Sequence, residues 1–123
     1  MKKVIIASIV MAVFAVSVAH AKRLAPKDVP SVTKGNIEYR APRSQMGCIE
    51  AWQNKQLLWR RQIYVVKYDL DLEGDVQDVF IKTMKLEKNI LTITNENDSE
   101  YTLDLKTLEV KIVKGSLVEE TKL

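Results

Sequence analysis

The chain has 123 residues, with 19 Lys and Arg against 16 Asp and Glu, one histidine and one cysteine. That length fits one domain around one core, and a lone cysteine excludes an intramolecular disulfide. A formal charge of +3 is too small to neutralise a run of phosphates, so nucleic-acid binding is excluded as the main task.

Residues 1–21 have the layout of a secretory signal peptide. Lys2 and Lys3 form a positive n-region, Val4–Ala19 is an uninterrupted small and apolar run, and Ala19-His20-Ala21 is a small-x-small cleavage triplet. The run is shorter than the roughly 20 apolar residues of a bilayer span, and no cysteine follows it for lipid attachment. The expectation is a periplasmic or secreted protein with no stable membrane anchor after cleavage. Removing residues 1–21 leaves 102 residues and 17 basic against 16 acidic side chains, and His20 leaves with the signal. Ser-His-Asp and Cys-His catalysis, and histidine-based zinc sites, then have no histidine to use. The cleaved chain is still long enough to bury a core without staples.

Residues 22–35 carry two prolines, scattered charges and little periodicity, and predict a flexible N-terminal arm. From Asn36 the pattern is β. Strands are predicted at Ile37–Arg40, ending before Ala41-Pro42, at Cys48–Gln53, which reaches a turn at Asn54-Lys55, and at Leu57–Tyr68, rich in aromatic and β-branched residues. An acidic loop, Asp69–Asp75, precedes strands at Asp78–Leu86, Ile90–Asn95, Glu100–Leu105 and Glu109–Val113. Alternation is clearest late in the chain, where Tyr101, Leu103 and Leu105 face one way and Thr102 and Asp104 the other. Connections this short require antiparallel neighbours. Residues 36–113 thus form an all-β domain, a small antiparallel meander or compact two-sheet sandwich. The tail 114–123 either holds a short helix or frays.

The charges are unevenly placed, +7 over residues 22–68 and −6 over 69–123. Local neutralisation within one interleaved sheet is favoured over a dipolar surface that steers a charged partner. Cys48, at the start of a strand run, is expected to be a buried inert thiol, the alternative being a bridge to another chain.

Three sets of side chains are candidates for chemistry. If Leu57–Tyr68 alternates as one strand, Trp59 lies with Leu57, Ile63 and Val65 toward a core. Arg60, Tyr64 and Tyr68 then share the opposite face, a candidate partner-binding surface. Arg60 and Arg61 point to opposite faces, which argues against a two-arginine clamp. Asp69, Asp71, Glu73 and Asp75 place oxygen ligands at alternate positions with Gly74 at the sixth, imitating the opening of an EF-hand loop. Phe80 stands at the twelfth position, where that loop needs a bidentate Glu. Calcium is the first ion to consider there, and a solvated acidic turn is the plainer reading. The same carboxylates are poor candidates for glycoside hydrolysis, which needs two groups across a cleft that so small a sheet has little material to build.

Two hairpin stretches look alike at a 52-residue spacing. Ile49-Glu-Ala51-Trp52, a turn and Leu57-Leu58-Trp59 parallel Tyr101-Thr-Leu103-Asp104-Leu105-Lys106-Thr107 followed by Glu109-Val110. The second copy resembles a blade of the quinoprotein (PQQ-like) β-propellers, a Tyr-x-Leu-Asp-x-x-Thr-Gly-x-hydrophobic pattern. Leu108 stands where that pattern has Gly, and the first copy lacks the Asp and the Thr-Gly. The resemblance implies a blade-like antiparallel meander. One blade and part of another cannot close a propeller, so the family's quinone chemistry is not implied, and no cofactor is expected. Leu72–Ile81, with Gly35–Pro42 upstream, also resembles small exported bacterial proteins of unassigned function. The combined expectation is an exported, non-enzymatic interaction module docking a protein or envelope component, with a calcium or small-ligand binder as the alternative.

Overall fold

The computed structural model describes residues 28–72 and 74–121, with the backbone alone at Gly74 and Asp75. The proposed signal segment, residues 22–27 of the predicted arm, Glu73 and residues 122–123 lie outside that range.

Two four-stranded antiparallel meanders make up the domain. The first contains β1 (Val32–Lys34), β2 (Ile37–Arg40), β3 (Cys48–Gln53) and β4 (Gln56–Gln62) in that spatial order. A short β5 (Val65–Val66) and one helical turn, α1 (Gly74–Gln77), follow. The second meander is β6 (Ile81–Glu87), β7 (Ile90–Asn95), β8 (Glu100–Asp104) and β9 (Val110–Lys114), again in sequence order. Neither sheet closes on itself. Tight turns enforce this order. Asn54 and Lys55 both take positive φ, 51° and 66°, the mirror-image turn whose twist suits a two-residue hairpin.

Period-2 alternation aims one face of each sheet at a shared core. Cross-strand registers put Val32, Tyr39, Ala51 and Trp59 on one face of the first sheet. Met84, Leu86, Leu91, Ile93, Tyr101 and Leu103 line one face of the second. These faces contribute to one continuous apolar cluster, so the protein is a two-sheet sandwich. Side chains also join the sheets at their rims: Lys34 Nζ donates to Lys88 O at 2.9 Å, and Arg61 Nε donates to Leu108 O at 3.0 Å. Arg61 does lie opposite Arg60, as alternation requires.

The two look-alike hairpins hold the same place, strands three and four of their respective sheets. In the second, Asp104 Oδ1 accepts from the backbone N–H groups of Lys106 and Thr107 at 2.8 and 3.2 Å, while Leu108 N donates to Asp104 O. Leu108 adopts φ +63°, the left-handed conformation that a glycine there would take without strain.

Several boundaries differ from the sequence reading: the strand expected from Asp78 begins at Ile81. Val32–Lys34, inside the predicted arm, is β1 and pairs with β2. The tail is neither helical nor loose over its described length: β10 (Val118–Glu119) pairs in parallel with β5. The run 57–68 is not one strand. Tyr64 and Ile63 are both buried between β4 and β5, and consecutive buried residues break the alternation that assigned the faces.

Among the described residues, no helix is long and apolar enough to cross a membrane.

Candidate functional site

The outer face of the first sheet carries the densest set of charged and aromatic groups. Register places Arg40, Glu50 and Arg60 side by side across β2, β3 and β4, with Glu38 and Trp52 one pair further along. Glu50 is buried. Its Oε2 accepts from Arg60 Nε and Nη2 at 2.8 and 2.5 Å, and its Oε1 from Trp52 Nε1 at 3.1 Å. The Arg40 guanidinium lies 4.8 Å from the centre of the Trp52 ring and is ion-paired with Glu38. Arg60, a predicted partner-binding residue, is thus partly exposed but committed to a carboxylate within its own sheet. Each cation on this face has an anion beside it, which makes the ladder a structural element first.

Tyr64, the second predicted partner-binding residue, cannot serve that role. It is 1% exposed. Its ring stacks on Tyr101 with centroids 5.4 Å apart, and its hydroxyl donates to Val79 O. Burial, reinforced by the neighbouring Tyr101 and Glu119, pushes its phenol well above the ordinary range. Tyr101 continues this set inward to the C-terminal segment. Its hydroxyl lies 2.8 Å from Glu119 Oε1 and also meets Ser116 O. Ser99 Oγ donates to the same Glu119 oxygen, and Asn97 Nδ2 donates to Oε2 at 2.7 Å. Burial alone would raise the Glu119 carboxyl, but the donors from Ser99, Asn97, Tyr101 and Ser116 outweigh it and hold it below the usual carboxylate range. This polar knot latches β10 against the second sheet.

Tyr68, the third, sits apart in the loop after β5. It is 40% exposed and donates to Asp78 Oδ1 at 2.6 Å. Burial of its ring side, together with that bond and the Asp78 charge, pushes its phenol up to about 12. Arg60, Tyr64 and Tyr68 therefore have three separate surroundings and form no common face.

In the acidic loop, Asp69 Oδ1 accepts from Asp71 N at 2.9 Å. The loop is pinned by buried Gln77, whose amide donates to Asp69 O and Leu72 O at 2.9 and 3.2 Å and accepts from Asp69 N. Of the four predicted metal ligands, Glu73 and the Asp75 side chain lie outside the description. Among the described residues, no group of three or more His, Cys, Asp or Glu gathers as a metal set. Beside this loop runs an open groove of about 580 Å³, lined by Lys67, Tyr68, Asp69, Leu70, Leu72, Gln77, Glu120 and Thr121.

One apolar surface was missed from the sequence. β9 is an edge strand, paired with β8 alone among the described residues. Ile112 is opposite core residue Tyr101, yet it is 45% exposed. Val113, 57% exposed, is the unpaired residue at a β-bulge. The chain continues through Leu117 to Val118, which neighbours Val65 on β5, and all three are exposed. Lys111 and Lys114 flank the strip on β9. The signal was available: Val110-Lys111-Ile112-Val113-Lys114 has apolar residues at both parities, more than a half-buried strand needs.

No protein-family model matches this chain, and no curated protein matches it.

Proposed function

We propose that this protein is an exported, non-enzymatic docking module that binds a partner protein through the β5–β9–β10 flank. The observation that carries this reading is the exposure of Ile112 and Val113 on edge strand β9 and, next along the chain, of Leu117 and Val118, the latter paired with exposed Val65 of β5. Exposed apolar groups gathered in one strip are a mark of protein contact surfaces. The bulge at Val113 and the lysines on β9 are devices that discourage strand-to-strand pairing, so contact is through side chains rather than by adding a strand. Lys111 and Lys114 select a partner whose apolar patch has an acidic rim. The signal-like sequence of residues 1–21 supports an encounter in the periplasm or outside the cell.

Crosslinking in envelope extract tests it, comparing the wild type with Ile112→Asp and Val113→Asp. Both positions are exposed, so the variants are expected to keep their melting temperature. Loss of the same crosslinked partner from both variants, with its retention by Arg60→Ala, is the expected result. Equal recovery from all three variants removes the flank from consideration.

A further inference from the structure

An open groove of about 500 Å³ lies where the β1–β2, β6–β7 and β8–β9 turns of the two sheets come together. That volume is in the range of small-molecule sites. Half-buried Ile37 and Leu105 line it together with Tyr39, and Gln53 adds an amide. Tyr39 is 5% exposed, and its ring is held 6.0 Å from that of Trp59. Its hydroxyl nevertheless meets no hydrogen-bond partner among the described residues. Among those residues only Asn95 Nδ2 is both sealed from solvent and unpartnered, so the Tyr39 hydroxyl keeps an opening to solvent, and this groove is the one Tyr39 lines. A polar group so deeply set normally bonds within the protein; this one is left to whatever occupies the groove. Burial pushes its phenol up from the ordinary range, which keeps it a neutral donor at pH 7.

The charge around the groove has one sign. Lys34 and Lys106 line it, and none of the lining residues is acidic. Lys34 Nζ donates to Lys88 O at 2.9 Å and to Asn89 Oδ1. Both acceptors are neutral, so the ammonium is held in place with its charge unbalanced and its third proton unused. Lys106 is fixed through its backbone, whose N–H donates to Asp104 Oδ1 at 2.8 Å, and its ammonium has no anion paired with it among the described residues. On the outer face of the first sheet, by contrast, each cation has an anion beside it. Apolar lining, two uncompensated cations and an unpartnered phenol suit a ligand with an apolar body and an anionic head. A neutral ligand would leave the lysines unused, and a bare inorganic anion would leave Ile37 and Leu105 unused. Phosphate is typically held by arginine forks or helix N-termini, and neither lines this groove.

We propose that this groove binds a small apolar carboxylate, of the class of a medium-chain fatty acid. Its carboxylate accepts from Lys34 and from the Tyr39 hydroxyl, its chain lies on Ile37 and Leu105, and Lys106 adds charge attraction. None of the lining residues belongs to β5, β9 or β10, so this proposal and the docking reading stand or fall independently.

Amide chemical shifts test it. The isotope-labelled protein, purified as the expressing cell processes it, is titrated with sodium octanoate, and separately with octanol and with inorganic phosphate. The expected result is a saturable shift at Gly35, Ile37, Leu105 and Lys106, half-complete near about 1 mM octanoate. Octanol, which lacks the charge, should bind about tenfold more weakly. Tyr39→Phe keeps the ring beside Trp59 and removes no bond within the protein, so it should melt like the wild type and bind octanoate about fivefold more weakly. Lys106→Gln, whose ammonium also has no partner to lose, should weaken octanoate but not octanol. Ile112→Asp, on the β9 flank, should bind octanoate like the wild type. Equal binding of octanol and octanoate, or wild-type octanoate binding by either Tyr39→Phe or Lys106→Gln, overturns the proposal. So does phosphate that shifts the same amides as strongly, which would make the groove a site for inorganic anions. Shifts confined to Ile112 and Val113 would mean adsorption on the exposed flank and overturn it as well.

Discussion

Tyr64 and Tyr101 stack nearly parallel, ring centroids 5.4 Å apart and planes 14° from alignment. Tyr64 follows the last strand of the first sheet and Tyr101 lies in the second, so this pair fastens the two layers at the centre of the core. Both are fully buried. Tyr64→Ala is expected to destabilise the domain by about 3–5 kcal/mol, the range for an aromatic truncated in a core. Tyr64→Phe keeps the stack but leaves Val79 O without its donor, at about 1–3 kcal/mol. Urea unfolding of both variants checks the order, and a Phe variant as unstable as the Ala variant contradicts it.

That pair also shows where a sequence reading stops. Most strands were legible because one face is apolar and turns such as Asn54-Lys55 punctuate them. Tyr64 was misassigned because its face was inferred by counting through one continuous strand. The count fails where β4 ends, at the consecutive burial of Ile63 and Tyr64; the bulge beside Ala51 and Trp52 acts earlier, pairing Leu57 with Trp52 rather than placing it on the face of Trp59. β10 left no local trace, since its parallel pairing with Val65–Val66 is a contact across more than fifty residues. The predicted site fared worse than the fold for the same reason. Arg60 was correctly placed on an outer face, but its commitment to Glu50 is a cross-strand relationship set by register.

Acid should loosen the C-terminal latch. Glu119 has its carboxyl held below the ordinary value in the folded chain, by hydrogen bonds that outweigh its burial. A carboxylate lowered on folding contributes stability that is fully present above its unfolded value, about 4.3, and fades as pH falls through the lower folded value. Urea midpoints from pH 7 down to pH 2.5 should therefore drop below about pH 4. Glu119→Gln should be less stable at pH 7 by about 1–3 kcal/mol and show a shallower acid slope. A variant with the wild-type slope would show that other carboxylates carry the acid response.

Cys48 is buried in this fold, with its thiol near Gln62 Oε1 at 3.2 Å. Burial pushes the thiol up from its usual range; neighbouring Arg60 opposes this and Glu50 adds to it. Both effects, low access and little thiolate, make it unreactive. A thiol reagent at pH 7 should label the native protein at least about a hundredfold more slowly than the urea-unfolded protein, on the scale of the unfolding equilibrium. A non-reducing gel should show monomer. Rapid native labelling, or a dimer band that reductant removes, contradicts this.

Two glycines hold connections that no other residue fits. Gly47 has φ +70°, its carbonyl accepts from Ile63 N at 2.7 Å, and a side chain there would overlap Tyr64 O. Gly115 has φ +95°, and a Cβ would overlap the Ser99 hydroxyl that bonds Glu119. Gly→Ala at either site combines left-handed strain with a clash, so each should cost more than about 1 kcal/mol. Gly115→Ala should also flatten the acid slope attributed to Glu119, because it displaces Ser99, whereas Gly47→Ala should leave that slope intact. Identical acid slopes in the two variants would separate Gly115 from the latch.

Leu108 offers a test of stored strain. It packs partly buried against the core while holding φ +63°, a conformation that costs a residue with a Cβ about 1–2 kcal/mol. Leu108→Ala loses the packing and retains the strain. Leu108→Gly loses nearly the same packing but relieves the strain, against which stands the greater freedom of glycine in the unfolded chain, about 0.5–1 kcal/mol. The net expectation is a Gly variant at least as stable as the Ala variant, inverting the usual order at a strand-flanking site. The same pair of substitutions at Leu103, buried in β8 with no positive φ, should keep the usual order, Ala above Gly. Urea midpoints for the four variants decide it. A Leu108→Gly protein clearly weaker than Leu108→Ala would mean that the turn, held by Asp104 through Lys106 N and Thr107 N, carries no strain for glycine to relieve.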